Sequence, residues 1–347
     1  MKMLSNTRTT NILLLIIVIP FVFYLLKILS FIFIPLVFSM FIALLFLPLM
    51  RWLQRKRIPK TFSIVIVVAI IIGVIGVGAG LISLTSQEIR ASQDDFLAKA
   101  MVKIDQFGSF AEEVTGVKIL NEEGSFASNF IQKENAAKQI SSTLGLIGNA
   151  ATSVLMTLFF VVLWLAESIN VQKLLNNTIL RQKHTSIKTF IKIENDLITF
   201  IKVKFAVSLF TGIGIGLSCL FFGVSFPIFW GLFAFLINFV QMIGSFISVI
   251  LLAIFAFVEL DPTSTLFFFV MSITGVQIIF GAILEPVFMG KSFSINIITV
   301  LVMLMLWGFI WGVPGLIMSI PITVFLKIIF EQFRSTKILG QVISAND

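Results

Sequence analysis

The sequence predicts an all-α integral membrane protein, and three observations support this prediction. Of the 347 residues, 58% are hydrophobic and only 12% are charged, whereas soluble globular chains carry about 25% charged residues. Several apolar runs reach the roughly 20 residues that a helix needs to cross a bilayer. The Lys and Arg residues behind the net charge of +8 lie beside these runs rather than in a separate basic domain. We therefore expect the lipid bilayer, and no nucleic acid, as a partner.

Apolar runs of suitable length predict about six full transmembrane helices. They cover residues 11–29, 31–50, 61–84, 144–166, 205–222 and 264–284. Two longer apolar stretches, 227–260 and 295–330, are each interrupted by Gly, Pro or polar residues. We predict that these are two Gly/Pro-interrupted helical hairpins, either re-entrant or fully crossing. The first run has no small-residue cleavage site, so we expect a retained helix rather than a signal peptide.

Basic residues in the loops predict the orientation of the helices. Segment 51–60 holds five Lys and Arg residues, so we place it, with both termini, in the cytoplasm. Region 85–142 is then outside and carries six basic and nine acidic residues, whereas region 167–204 is inside and carries seven basic and three acidic residues. Both charge balances agree with this orientation.

The orientation gives a segment-by-segment organisation of the chain. We expect three transmembrane helices in 1–84, an extracytoplasmic amphipathic helical insertion in 85–142, a fourth helix in 143–166, a basic cytoplasmic or interfacial amphipathic helix in 167–204, a transport core in 205–330 and a cytoplasmic tail in 331–347.

Two polar regions contain apolar residues at helical spacing. In the outer one, the apolar positions include Ile89, Phe96 and Met101, and such a helix needs a partner surface on this chain, on a neighbouring subunit or on the membrane. In the inner one, the apolar positions of 187–201 alternate with Lys residues. This pattern predicts a helix in the membrane plane; a cytoplasmic helix packed on another subunit is the alternative.

Gly pairs and charged residues of the spans have simple structural explanations. The pairs Gly76/Gly80, Gly212/Gly216 and Gly308/Gly312 favour close helix packing. The charged residues near predicted span ends are expected to snorkel toward the headgroups; they are Lys27, Glu167, Glu259 and Lys327.

Glu285 is a different kind of charged residue, because it directly follows the span 264–284 and precedes Pro286. Pro is expected to end the helix and to leave carbonyl groups without donors. The Glu285 carboxylate would then either bind a cation or proton, or cap loop backbone at the cytoplasmic face. Both alternatives stay open at this point.

The interruptions of the two hairpins are the candidate substrate pathway. Non-helical backbone at membrane depth is tolerated where protein or a wet cavity surrounds it, and paired broken helices often mark a transporter's substrate site. The orientation predicts that the hairpins dip toward each other from opposite faces. The candidate residues are Asn238, Gln241, Gly244, Ser245 and Ser248 in the first hairpin, and Gly312, Pro314, Gly315, Ser319 and Pro321 in the second.

Three segments resemble the autoinducer-2 exporter family of bacterial permeases: 238–245 (NFVQMIGS), 284–291 (LEPVFMGK) and 307–321 (WGFIWGVPGLIMSIP). The resemblance extends over nearly the whole chain. One departure is Gln241, where the family usually has Pro. The resemblance implies a homo-oligomer, of which a pentamer is one form, that exports the quorum-sensing furanone or a related small solute; some relatives are similar to sodium or lithium/proton antiporters.

Three hypotheses for function follow. The leading one is an exporter of a small neutral metabolite by alternating access, because central charges are nearly absent. The second is a cation/proton antiporter that uses Glu285, and the third is a membrane scaffold whose outer helix binds a partner. Catalytic and phosphate-loop motifs do not occur, and Cys219 and His184 are the single Cys and His. We therefore expect no enzyme, cofactor or metal site.

Overall fold

A computed structural model describes residues 7–115, 152–167, 184–240, 243–260, 264–289 and 295–332, with four residues of the C-terminal tail. The described residues are helical apart from short turns between the helices and an isolated β-bridge between Ile295 and Ser344. In chain order the helices are α1 Thr7–Ile28, α2 Ser30–Arg55, α3 Lys60–Thr115, α4 Thr152–Glu167, α5 His184–Phe222, α6 Pro227–Ile237, α7 Ile243–Glu259, α8 Ser264–Gln277, α9 Glu285–Met289, α10 Ile297–Trp311 and α11 Val313–Gln332.

Five helical segments in the described part of the chain are long and apolar enough to cross a bilayer. They are Ser30–Arg55, Lys60–Ser92, Ile191–Phe222, Ser264–Met289 and Val313–Glu331. Shorter apolar helices occupy the positions of the first and fourth predicted spans, at Ile16–Ile28 and Thr152–Glu167. The all-α membrane class predicted from the sequence is confirmed.

The contacts divide the chain into two compact units. The first comprises Met1–Val68, Thr152–Ile201 and Phe293–Asp347, and the second comprises Ala69–Ala151 and Lys202–Ser292. The first hairpin, formed by α6 and α7, belongs to the second unit. The second hairpin, formed by α10 and α11, belongs to the first unit.

Two helices continue across boundaries at which we expected a change of element. Helix α3 has 56 residues, about 84 Å at 1.5 Å per residue, so the outer amphipathic segment is a direct continuation of the third span. Helix α5 has 39 residues and runs from the basic inner region into the next span without a break. Its residues Leu197, Ile198 and Ile201 are buried. Residues 116–151 and 168–183 lie outside the described part of the chain, and the interfacial position of the segment before Phe205 stays a prediction.

The first hairpin begins with a short arm. Helix α6 has 11 residues, about 16 Å, which is half of the roughly 30 Å hydrocarbon core. Pro227 occupies its first turn, where Pro is tolerated, after a turn in which Gly223 and Phe226 have positive φ angles of 71° and 61°. The return arm, α7, has 17 residues.

The core of the second unit packs this hairpin on α5 and α8. The buried residues include Ile215, Trp230, Leu252, Phe269 and Ile273. Cys219, with 0% exposure, lies in the same core, as expected of a buried small residue. Gly212 faces Gly231 of α6 so closely that an added Cβ would lie 2.6 Å from the Gly231 carbonyl oxygen.

The other Gly pairs differ in their surroundings. At Gly308 an added Cβ would lie 2.7 Å from Leu316 Cδ2, whereas at Gly312 it would meet no described atom within 4 Å, so only Gly308 of this pair packs closely. At Gly76 and Gly80 no described atom lies within 4 Å of an added Cβ. Close helix packing at that pair is therefore not found in the described structure, because those residues are on an open face of α3.

In the first unit, helix α1 packs on the second hairpin. Trp311 Nε1 donates to the Leu26 carbonyl oxygen at 3.0 Å, and the Lys27 ammonium lies 3.9 Å from the centre of the Phe309 ring. The tail folds back on the same hairpin, because the Asn296 N–H donates to the Ile343 carbonyl oxygen at 3.0 Å. A cation over an aromatic face is attracted by the ring quadrupole, which holds Lys27 against the protein.

The prediction of snorkelling was wrong for Lys327, whereas for half-buried Glu259 it stays a prediction. Lys327 has an exposure of 2% and lies 3.6 Å from Glu331 one helical turn away, so a carboxylate rather than the headgroup zone neutralises it. Glu259 accepts a hydrogen bond of 2.7 Å from the backbone N–H of Ser225. Its carboxylate thus caps the turn before α6.

Candidate functional site

Three buried polar pairs connect the helices of the second unit. They are Lys204–Glu285, Ser208–Asn238 and Ser248–Gln277, and all six residues are at most 6% exposed. Four helical elements contribute: α5, the end of α6, α7, and the α8–α9 helix. Polar groups in this environment are costly unless each finds a partner.

The pair of Lys204 and Glu285 joins α5 to the end of the α8–α9 helix. Lys204 Nζ donates to both carboxylate oxygens, at 2.9 and 3.0 Å, and the two residues are 2% and 4% exposed. Backbone capping by Glu285 is not found among the described residues, because both of its carboxylate oxygens accept from Lys204; binding of a cation or proton stays a prediction. The chain itself supplies its counter-ion.

Pro286 does not end the helix, contrary to our expectation. The residues before it, Ile278–Leu284, form a π-helical segment, and the helix continues to Met289. The Glu285 N–H donates to the Phe280 carbonyl oxygen five residues earlier. This wider turn relieves the clash that a Pro ring makes with the preceding turn of an α-helix, and π-bulges are frequent at functional sites.

The pair of Ser208 and Asn238 fixes the tip of the first hairpin. Asn238 directly follows α6, and its Nδ2 donates to Ser208 Oγ at 3.0 Å. Ser208 lies one helical turn after Lys204 on α5. Residues four apart share a helix face, so this face carries both contacts and positions the hairpin tip one turn from the buried ion pair.

The pair of Ser248 and Gln277 joins the return arm of the hairpin to α8. Gln277 Nε2 donates to Ser248 Oγ at 2.8 Å, and Ser248 Oγ donates to the Ser245 carbonyl oxygen at 3.0 Å. The other amide atom of Gln277, Oε1, is buried and has no hydrogen-bond partner among the described residues. An acceptor in this state is rare in folded proteins.

Gly244 and Gly315 have equivalent positions in their own hairpins. A Cβ added to Gly244 would lie 1.9 Å from the Ile237 carbonyl oxygen, and one added to Gly315 would lie 1.9 Å from the Trp307 carbonyl oxygen. Both glycines therefore permit the return arm to touch the backbone of the first arm. Their primary role in the described structure is to close the hairpin turn.

The remaining candidates of the second hairpin are held by their own helix. Gly312 has φ +64° between α10 and α11, a conformation that favours Gly, and Pro314 lies in the first turn of α11. Buried Ser319 donates to the Leu316 carbonyl oxygen at 2.8 Å, while Pro321 lies inside α11. Gln241 of the first hairpin lies outside the described residues.

A family model described as AI-2E family transporter matches residues 12–335. This chain belongs to the AI-2E transporter family. The family match covers both hairpins and all three polar pairs, and it identifies the protein as a multi-pass membrane permease.

Individual relatives of this AI-2E family member agree with that assignment. A "Putative transport protein" of Borreliella burgdorferi is 34% identical over 140 residues, which are 40% of this chain and 39% of that protein. One of Haemophilus influenzae with the same description is 25% identical over 309 residues, 87% of each chain. The AI-2 transport protein TqsA of Escherichia coli is 22% identical over 314 residues, 90% of this chain and 89% of TqsA.

The sequence of this permease does not single out Lys204, Ser208 or Gln277. Lys204 belongs to the basic inner region 167–204, and Ser208 to the apolar run 205–222. Gln277 gave a detectable signal, because it is the amide of an otherwise apolar run, 264–284, where a polar side chain is expensive. Of the predicted candidates, the structure brings Asn238, Ser248 and Glu285 into these pairs.

Proposed function

We propose that this permease exports a small, neutral, hydroxylated solute, autoinducer-2 or a related compound, across the bacterial cytoplasmic membrane by alternating access. The observation that carries the proposal is the set of three polar pairs. Its buried charges neutralise each other in the Lys204–Glu285 pair, and the groups left beside them are amides and hydroxyls. Such groups carry no net charge, and they bind an uncharged polar solute through hydrogen bonds.

The cost of charge at membrane depth supports a neutral solute. A central charge costs roughly 2.5–3.5 kcal/mol on insertion scales, so a charged solute needs a fixed opposite charge in its site. Glu285 does not supply one, since Lys204 Nζ contacts both of its oxygens. The name of TqsA, an AI-2 transport protein, favours the furanone among neutral solutes.

The first hairpin gives the proposal a structural basis. Helix α6 is about half as long as a full crossing, and its tip is bound to α5 through Asn238 and Ser208. A re-entrant hairpin of this kind would place polar backbone and side chains within the membrane, where transporters bind their solutes. Cytoplasmic termini and a homo-oligomeric assembly belong to the same proposal.

Efflux from proteoliposomes tests the proposal. Vesicles with the purified protein and labelled autoinducer-2 inside should release the label faster than protein-free vesicles. Asn238→Leu should lower the initial rate at least about tenfold, because about 1.4 kcal/mol of lost interaction is a tenfold effect. The control is Ser218→Ala, which removes a part-buried hydroxyl contact outside the three pairs, 3.0 Å to Ser272 Oγ. Equal rates for wild type and Asn238→Leu would contradict the proposed site.

A second candidate function is a cation/proton antiporter. It is motivated by a carboxylate, Glu285, buried within the long apolar helix Ser264–Met289. The test replaces the pair as a unit, Lys204→Met with Glu285→Gln, because either change alone leaves a buried charge unpaired. The antiporter predicts that a pH dye reports sodium-dependent proton movement in wild type and that this movement disappears in the double variant. That result would favour the antiporter over the exporter.

A further inference from the structure

We propose that Gln277, Ser245 and Gly281 form a subsite for one hydroxyl group of the solute, an inference that rests on the proposed function. Gln277 Oε1 supplies an acceptor, Ser245 Oγ supplies a second polar atom, and Gly281 leaves open the space that both atoms face.

The hydrogen bonds of Ser248 determine how the Gln277 amide is oriented. A Ser hydroxyl has a single proton to donate, and Ser248 gives it to the Ser245 carbonyl oxygen at 3.0 Å. Ser248 Oγ can therefore only accept from Gln277, 2.8 Å away, so the amide nitrogen must face Ser248. The amide oxygen consequently points to the other side.

The Gln277 amide oxygen is the unusual atom of this cluster. Gln277 is 6% exposed, and its Oε1 has no hydrogen-bond partner among the described residues. A buried acceptor in that state loses its hydration without compensation. A solute hydroxyl that donates to Oε1 would remove this penalty. The new hydrogen bond would therefore make the free energy of solute binding more favourable.

Gly281 provides the space beside this oxygen. A Cβ at Gly281 would lie 3.7 Å from Ser245 Oγ and 3.9 Å from Gln277 Oε1, which is ordinary van der Waals contact. The two polar atoms thus face the same volume from two different helices. Gly281 and Ser245 are half-buried, and Gly281 lies within the π-helical segment Ile278–Leu284.

The chemistry of the two atoms selects a hydroxyl group. A hydroxyl donates one proton and accepts others, so it can donate to Gln277 Oε1 and accept from the Ser245 hydroxyl at the same time. A carboxylate has no proton for Oε1. An ammonium could donate to both oxygens, but it would bring an uncompensated charge into a buried site, which is costly. The subsite therefore fits an uncharged alcohol, such as a diol or a hydroxylated furanone.

The test compares two glycines of the same helix. Gly281→Ala fills the space with one methyl group at ordinary contact distances, so the variant should fold. Gly275→Ala is the matched control, because an added Cβ there meets no described atom within 4 Å. For wild type and both variants, calorimetric titration would measure the binding of autoinducer-2 to the detergent-purified protein. Efflux from proteoliposomes would be measured in parallel.

The expected result is a Kd about tenfold higher for Gly281→Ala than for wild type. The added methyl group excludes the solute hydroxyl, and the loss of its hydrogen bond is worth about that factor. Gly275→Ala should bind as wild type does. Gln277→Met should in addition abolish the preference of the protein for autoinducer-2 over an analogue in which one hydroxyl is replaced by hydrogen. Equal Kd values for Gly281→Ala and wild type would overturn the subsite.

The two measurements separate this inference from the proposed function. Saturable binding that Gly281→Ala weakens, without efflux from wild-type vesicles, supports the subsite and contradicts the exporter. Efflux by wild type that is unchanged in Gly281→Ala and Gln277→Met contradicts the subsite and supports the exporter. Absence of binding to wild type contradicts the subsite directly.

Discussion

At the scale of single residues, the buried pair of Lys204 and Glu285 shows what a sequence leaves open. The two residues are 81 positions apart in the chain, and each taken alone has an ordinary explanation at the end of an apolar run. Only the packing of α5 against the α8–α9 helix brings them to 2.9 Å. The sequence predicted that Glu285 is unusual, but it contained no signal for its partner.

Removal of one member of this pair should destabilise the protein strongly. We expect Lys204→Met or Glu285→Gln to cost about 3–5 kcal/mol, because each leaves an uncompensated buried charge, whereas the double variant should recover most of that loss. The midpoint of thermal unfolding in detergent measures the effect. A double variant less stable than both single variants would show that the two charges do not act as a pair.

Gly244 and Gly315 should tolerate no side chain. A Cβ at either position would lie 1.9 Å from a backbone carbonyl oxygen, and overpacking typically costs 1–3 kcal/mol. Alanine at each should therefore lower the unfolding midpoint and the yield of folded protein. Alanine at Gly76, where no described atom lies within 4 Å, is the control and should be neutral or stabilising. Equal midpoints for all three variants would contradict the close approach in the hairpin turns.

At the scale of helices, apolar length predicted where elements are but not where they end. The starts of α2, α8 and both hairpins agree with the sequence, because apolar runs and turn residues are local signals. The continuation through Pro286 was not predictable by the same means, since it depends on a π-helical segment that widens the turn. The unbroken α3 and α5 were also missed, because a change from apolar to amphipathic composition does not by itself break a helix.

The outer part of α3 should stabilise the isolated chain. The Phe96 ring stacks on Phe255 of α7 with centroids 4.7 Å apart, so among the possible partners the chain itself supplies one. Such an aromatic pair contributes about 0.5–1.5 kcal/mol beyond its buried area, and Phe96→Ala should lower the unfolding midpoint accordingly. Val102→Ala, at a position 56% exposed on the same helix, is the control. No difference between the two variants would contradict a stabilising contact between this part of α3 and α7.

At the scale of the whole molecule, the charge distribution predicts a topology that site-specific labelling can test. In a Cys219→Ala background, cysteine at exposed Ala98 should react with an impermeant maleimide in intact cells, and cysteine at exposed Lys56 should react only after permeabilisation. The reason is the positive-inside rule for the short basic loop after α2. The reverse labelling pattern would invert the orientation and, with it, the predicted faces of the two hairpins.

The membrane class, the hairpins and the family followed from the sequence because each depends on composition or on contiguous residues. The polar pairs did not, because each joins helices distant in the chain. For Gln277, the decisive fact is that its amide oxygen has no partner among the described residues. The orientation of the amide depends on the group to which Ser248 donates its single proton. Solute chemistry is therefore an inference from three-dimensional contacts rather than from any motif.

The central claim is that this AI-2E family member moves a neutral hydroxylated solute, and selectivity of efflux tests it most directly. Proteoliposomes loaded with labelled autoinducer-2, or with a phosphorylated counterpart, are compared at zero membrane potential. We predict rapid release of the neutral solute and release of the phosphorylated one no faster than from protein-free vesicles. Equal release of both solutes, or none of either, would contradict the account.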